Sequence, residues 1–356
     1  MLNFTVGPVQ MNDQVRKIGS EQVPYFRTDE FSAVMLENER LLKELAGASL
    51  SSRAVFITGS GTASMEAAVM NCLTTHDKVL VVDGGSFGHR FCELMDIHSI
   101  PYEALVLERG QVFTEADLAP YTQGGFTAFV LNMGETSTGV LYDMELVAQF
   151  CRDNNLFLIT DAISSFLADE VHMAKWGIDV LIIGSQKGLA VPPGASALVL
   201  SETALDRVQK AHPVSMYFDL ARALTNAERG QTPFTPAVGI LLQINERLRE
   251  VASIGIEAEL ARVRYQAEDF RQRIEGMPFH PLAAHPSCAV TSLEVEGFSA
   301  RDLFVQMKDV YHMWVCPNGG ELADRVFRVG HIGNLTPSDN ATLVEALKCA
   351  LGDINR

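Results

Sequence analysis

Basic residues are scarce in this sequence, 28 Lys and Arg against 44 Asp and Glu, for a formal net charge of −16. Nucleic acid and anionic membrane surfaces both call for a basic face, so non-specific binding to either is not expected. No apolar run approaches the roughly 20 residues of a membrane span. The first residues, MLNFTVGPVQ, lack the basic stretch and apolar core of a secretory signal. Cysteines number only six, and Cys72, Cys92, Cys151, Cys288, Cys316 and Cys349 form neither a CxxC pair nor a disulfide-framework spacing. They read as reduced thiols of a cytoplasmic protein, and no metal is expected at the site. Repeats and low-complexity tracts are also missing. What remains is an ordinary globular composition, 47% hydrophobic over 356 residues, enough for two domains with sizeable cores.

The first two-thirds alternates short β-rich runs with helix-like segments, the pattern of a mostly parallel α/β sheet. Strands are expected at Ala54–Thr58, Lys78–Asp83, Phe126–Asn132, Leu156–Thr160, Val180–Gly184 and Ala197–Leu200. Their nearly continuous apolar character suits strands covered by helices on both faces. Long helices follow between Val238 and Gly276, where ILLQINERLREV carries an apolar stripe at helical spacing. Shorter strands are expected at Cys288–Val295, His312–Cys316 and Val326–Val329. A helix capped by Ser299 should run through Tyr311, and Thr336 should cap the last helix, with Pro337 at its first position and Asp339 in its first turn. The domain boundary is placed near residue 255.

Ligands of an open parallel sheet bind beyond the carboxyl ends of its strands. Here the strands run into Gly59-Ser60-Gly61-Thr62, into GGSFGHR, into Glu135-Thr136-Ser137-Thr138-Gly139, into Asp161 and into Ser185-Gln186-Lys187. One edge thus receives an anion-binding loop, an aromatic ring, hydroxyls, a carboxylate and a lysine. Each has a plainer reading: Ser60 and Asp161 as helix caps, Lys187 as a solvated surface charge. Together they suit pyridoxal phosphate (PLP), which needs an amine to form an imine, a carboxylate to keep its pyridine nitrogen protonated, and N–H groups for its phosphate. Gly59-x-Gly61-x-x-Ser64 with Asp83 downstream imitates a dinucleotide fingerprint. Ser64 replaces the third glycine, and that dehydrogenase reading leaves Asp161 and Lys187 idle.

These segments, together with Gly7-Pro8, TGSGTASMEA, LITDAISSF, GSQKGLAVPPG and FRVGHIG, resemble class V, fold-type I PLP-dependent aminotransferases. The likeness is greatest to the alanine–glyoxylate/serine–pyruvate branch and its 2-aminoethylphosphonate–pyruvate relative. It implies Lys187 as the Schiff-base lysine and Asp161 as the pyridinium partner. It further implies Ser60, Gly61 and Thr62 as the phosphate loop, Thr136 near the ring oxygen, Gln186 against the cofactor, and Phe87 stacked where relatives commonly carry tryptophan. Gly7 and Arg328 are implied at the substrate, Arg328 holding its carboxylate. Relatives extend the segment matching Thr232 and Thr235 across a homodimer to the partner's cofactor. The implied fold is a large domain, residues 16–255, with a mixed, mostly parallel seven-stranded sheet, plus a small α+β domain formed by 1–15 and 256–356. The implied reaction moves an amino group between small amino and 2-keto acids by ping-pong chemistry. Other readings remain: a cysteine desulfurase-like lyase, though Gln186 stands where those enzymes usually have histidine, a 2-aminoethylphosphonate transaminase, and a non-catalytic binding protein. Cys316 reads as a strand-end core residue and His331 as a packing residue.

Overall fold

The computed structural model describes residues 1–354. Seven strands, β1 (Arg53–Thr58), β2 (Val79–Asp83), β3 (Tyr102–Val106), β4 (Ala128–Asn132), β5 (Phe157–Asp161), β6 (Val180–Gly184) and β7 (Ala195–Leu200), make one sheet in the order β1-β7-β6-β5-β4-β2-β3. Only β7 runs against its neighbours, β1 and β6. The sheet is therefore mixed and mostly parallel, a fold-type I α/β architecture, as the sequence implies.

Burial explains the arrangement. β2, β4, β5 and β6 are buried along their whole lengths. Their apolar side chains feed two cores, one on each face of the sheet. At about 25 cal/mol per Å² of apolar surface removed from water, such two-sided burial is the main force holding the sheet. The seventh strand, β3, is absent from the sequence expectation because it lies at the edge. Glu103 and Val106 are exposed there, and the alternation of a half-buried strand is broken.

A second, antiparallel sheet consists of β8 (Phe279–Pro281), β9 (Val290–Val295), β10 (Cys316–Pro317) and β11 (Val326–Gly330), in the order β8-β9-β11-β10. The expected strand His312–Cys316 is split. Met313–Trp314 pairs with Leu2–Asn3 at the N-terminus, while Cys316–Pro317 joins the sheet beside Arg328. Phe4, Phe270, Phe327 and Leu347 centre a third core here. Ser299 caps the helix Ala300–Asp309, which stops two residues short of the expected Tyr311. Thr336 and Asp339 bond reciprocally at the start of the helix Pro337–Ile354. Among the described residues, no helix is long and apolar enough to cross a membrane.

Candidate active site

The carboxyl ends of β1, β2, β4, β5 and β6 surround a cavity of about 240 Å³ lined by Gly7, Ser60, Gly61, Thr62, Phe87, Arg90, Thr136, Asp161, Gln186 and Lys187, among others. Nine residues expected at the site therefore meet in one place.

Ser60 is the N-cap of the helix Gly61–Cys72, but its hydroxyl caps nothing, and Ser196 donates to its carbonyl. The helix thus begins with free N–H groups and a hydroxyl that does not cap them, the arrangement of an anion site. Gly61 lets the Ile163 side chain lie against the helix start, since a Cβ there would stand 2.1 Å from Ile163 Cδ1 and push that side chain aside. Phe87 stands at the start of the next helix, Ser86–Ile97, with the Arg90 guanidinium 4.9 Å from its ring centroid. Arg90 also donates to Thr62 Oγ1 at 3.2 Å, which sets a cation beside the loop.

Asp161 ends β5. Its Oδ1 accepts from Ile163 N at 2.7 Å, so the cap-like reading holds for one oxygen, although only turns follow. Burial is the main reason its carboxyl is pushed up to about 7; Glu135 adds to the shift, while the Ile163 N–H, Lys187 and Arg90 oppose it. A cation in the cavity would reverse this by stabilising the ionised form.

Lys187 sits in the Ser185–Gly194 connection between β6 and the antiparallel β7. Ser185 Oγ donates to Pro192 O at 2.7 Å and Ala190 N to Lys187 O at 2.8 Å, and both bonds tighten the loop. A Cβ at Gly188 would fall 2.1 Å from Phe166 O, so glycine lets the loop close against that turn. The lysine is buried, not solvated. Its amine is pushed down to about 8, mainly by burial and next by Arg328; Cys316, Asp161 and Glu135 act in the other sense. Gly7 packs on its stem: a Cβ there would stand 2.8 Å from Lys187 Cδ.

Arg328 reaches the same edge from β11. It donates to Thr136 O at 3.2 Å and to Pro317 O at 2.6 Å, while its Nε is buried without a partner. Gln186 Oε1 is also buried and unpartnered. Both atoms keep hydrogen-bonding capacity that a ligand at this edge could use. Free helix N–H groups, an aromatic ring, a carboxylate and a buried amine form a donor set that fits PLP.

Two positions lie elsewhere in the chain. Thr232 is buried and its hydroxyl donates to Phe234 O at 2.7 Å, closing its own loop, whereas Thr235 is exposed. Neither lines the cavity. Cys316 corrects the reading as core: it is half-buried, pairs with Arg328 across β10 and β11, and stands close enough to influence Lys187. The short strand is too brief to bury it. His331 is a packing residue, buried against Phe270 with Nε2 2.7 Å from Thr291 Oγ1; burial holds it neutral. Asp83, the carboxylate of the dinucleotide imitation, is 2.8 Å from His89 Nδ1 and does not line the cavity.

Two functional residues escaped the sequence reading. Arg90 falls one turn after Phe87, and that spacing is the signal that could have found it. Glu135 is wholly buried and accepts from Phe87 N, Gly88 N, Asn132 Nδ2, Ser137 N and the Ser137 hydroxyl. It ties the loop after β4 to the helix carrying Phe87. A carboxylate between a glycine and a run of hydroxyls carries no sequence mark of that reach.

A lysine and a carboxylate on neighbouring strand tips, facing an anion loop, define a fold-type I α/β enzyme site. The family model for aminotransferase class-V matches residues 22–309, and the chain belongs to that family. It is 29% identical to a Synechococcus protein named soluble hydrogenase, small subunit, over 98% of this chain and 92% of that one. It is 27% identical to L-aspartate–glyoxylate aminotransferase of Paracoccus denitrificans, over 99% and 91%. The crystal structure of alanine–glyoxylate aminotransferase from Nostoc superposes with a TM-score of 0.92 at 25% identity, covering 98% of this chain and 95% of that one.

Proposed function

We propose that the protein is a PLP-dependent aminotransferase that moves an amino group from a small amino acid to a small 2-keto acid by ping-pong chemistry. The observation that carries this reading is the buried Lys187 facing Asp161 in one cavity whose rim includes the free helix start at Ser60–Thr62. Two relatives are named for glyoxylate, which favours glyoxylate as the acceptor. Alanine, serine and aspartate are the donors to compare.

When bound, the cofactor supplies an electron sink for the substrate Cα–H bond. The Ser60–Thr62 backbone would hold its phosphate, with Arg90 adding charge. Phe87 would cover the ring, Thr136 and Gln186 would bond its polar edge, and Asp161 would keep the ring nitrogen protonated. Lys187 Nζ, its proton affinity reduced by burial and Arg328, can take the proton from the substrate Cα near neutral pH. Arg328, reaching in from the small sheet, is suited to grip the substrate carboxylate with two parallel bonds. Gly7 leaves room for the Lys187 stem to move.

The reading includes a cytoplasmic homodimer. Val23, Tyr25, Met216 and Tyr217 are large apolar residues left exposed. Tyr217 stacks on Phe234 at 5.3 Å, beside Thr235. Exposed apolar residues of this size suit an interface, and Thr235 would offer its hydroxyl to the partner's cofactor while Thr232 holds the loop. The test is a donor-by-acceptor panel on purified enzyme, with alanine, serine, aspartate and 2-aminoethylphosphonate against glyoxylate and pyruvate. Turnover of an amino acid with glyoxylate is expected. Bound cofactor with no turnover of any pair would instead indicate a binding protein, and turnover of the phosphonate alone would reassign the donor.

A further inference from the structure

We propose that Asp83, His89 and Cys92 form a site for a divalent metal ion of the zinc class, outside the cofactor cavity. Asp83 ends β2, and the helix Ser86–Ile97 turns back over that strand tip. His89 and Cys92 lie three residues apart on this helix and so share a face. One donor atom from each of the three side chains lies within 4.8 Å of the others. Cys92 is buried, Asp83 is 9% exposed and His89 is exposed, which leaves an entry from solvent.

The Asp83 carboxylate supplies the second observation. His89 Nδ1 is 2.8 Å from its Oδ2, but its buried Oδ1 has no hydrogen-bond partner. The Arg109 guanidinium, 4.0 Å away, offsets charge without bonding that oxygen. An ordinary histidine–aspartate pair would account for Oδ2 and leave Oδ1 without a partner, while Cys92, a member of the core on this face of the sheet, brings its sulfur within reach of the same place. A metal accounts for all three donors.

The donor set also selects the ion. Imidazole nitrogen, thiolate sulfur and carboxylate oxygen together suit Zn²⁺, whereas Mg²⁺ and Ca²⁺ prefer oxygen alone. Bond lengths of about 2.0–2.3 Å would draw the donors inward, and the exposed His89 ring is free to turn. Carboxylate and thiolate balance the two charges of the ion. The thiol proton of Cys92 leaves to solvent as the sulfur–metal bond forms, and water can complete the fourth position. The same helix carries Phe87 and Arg90 into the cavity in its first two turns, so the ion would pin that helix to the strand beneath it.

Holoenzyme stripped with a chelator and titrated with Zn²⁺ should bind one equivalent per chain and gain thermal stability. Co²⁺ in its place should give a thiolate-to-metal absorption band. Both His89→Asn and Cys92→Ser should lose that equivalent, and His89→Asn, an exposed substitution, serves if Cys92→Ser does not fold. Wild-type protein that retains no Zn²⁺, undiminished binding by His89→Asn, or a Co²⁺ complex without a thiolate band would each overturn the assignment.

Discussion

Two buried carboxylates lie eight positions apart in the chain, and their surroundings separate structure from chemistry. Asp169 accepts from Ser287 Oγ at 2.6 Å and Cys288 N at 2.8 Å; nearby, Arg271 bonds Thr291 Oγ1, which meets His331. This seam joins the large sheet to the small one, and both oxygens of its aspartate are engaged. Asp161, equally buried, spends one oxygen on Ile163 N and turns the other toward a cavity that also holds an unbonded lysine and the orphaned Gln186 Oε1. Burial raises both carboxyls. Residue type and burial are alike in the two regions, and the unspent hydrogen-bonding capacity differs. The carboxylate with both oxygens engaged holds the fold, and the one with an oxygen to spare awaits a ligand.

Substitutions sharpen that contrast. Lys187→Ala should abolish the yellow colour and cut turnover by about 10⁴-fold or more, since one amine serves as both anchor and base. Asp161→Asn should still bind cofactor but transaminate roughly 10²–10³-fold more slowly in steady-state assays, because an amide cannot hold a proton on the ring nitrogen. Near-normal turnover would return Asp161 to the role of a turn residue.

The cofactor-free protein tests the same carboxylate by pH. Burial raises the pKa of Asp161 in the folded chain to about 7, from 3.8 for a solvated aspartate. Its contribution to stability is therefore complete below about pH 4 and is lost as pH rises through 7. Between those limits, denaturant titration should show the wild type losing on the order of 4 kcal/mol relative to Asp161→Asn.

Arg328→Lys should keep the colour and lose roughly 10–100-fold in kcat/KM, because an ammonium cannot reproduce the guanidinium fork. Separate half-reactions, unimpaired with both carboxylate substrates, would remove Arg328 from the substrate. The smallest kinetic effect belongs to the seam. Asp169→Asn should leave kcat near wild type while costing about 1–3 kcal/mol of stability, since Ser287 and the new amide would both present donors. A kinetic defect as large as that of Asp161→Asn would erase the distinction.

The sequence displays most of this site because chemistry sits at strand tips, and strands buried on both faces are plain apolar runs. β6 appears at its full length, and Lys187 follows directly from where it ends. β3 is hidden because an edge strand exposes Glu103 and Val106 and keeps no regular period. Cys316 is misread because its strand contains only two residues, so its burial depends on Arg328 and the neighbouring sheet rather than on local pattern. Glu135 is hidden for a related reason: its partners Phe87 and Gly88 come from another strand tip. Thr232 and Thr235 cannot be told apart by composition, and only tertiary packing buries the first and exposes the second.

The central claim is that Lys187 is the residue to which the cofactor is joined. Borohydride reduction of the yellow holoenzyme, followed by peptide mass spectrometry, tests it directly. The account predicts one pyridoxyl adduct per chain, on the peptide containing Gly184-Ser185-Gln186-Lys187, and none in Lys187→Ala. An adduct on another lysine, or one that persists in Lys187→Ala, would contradict it.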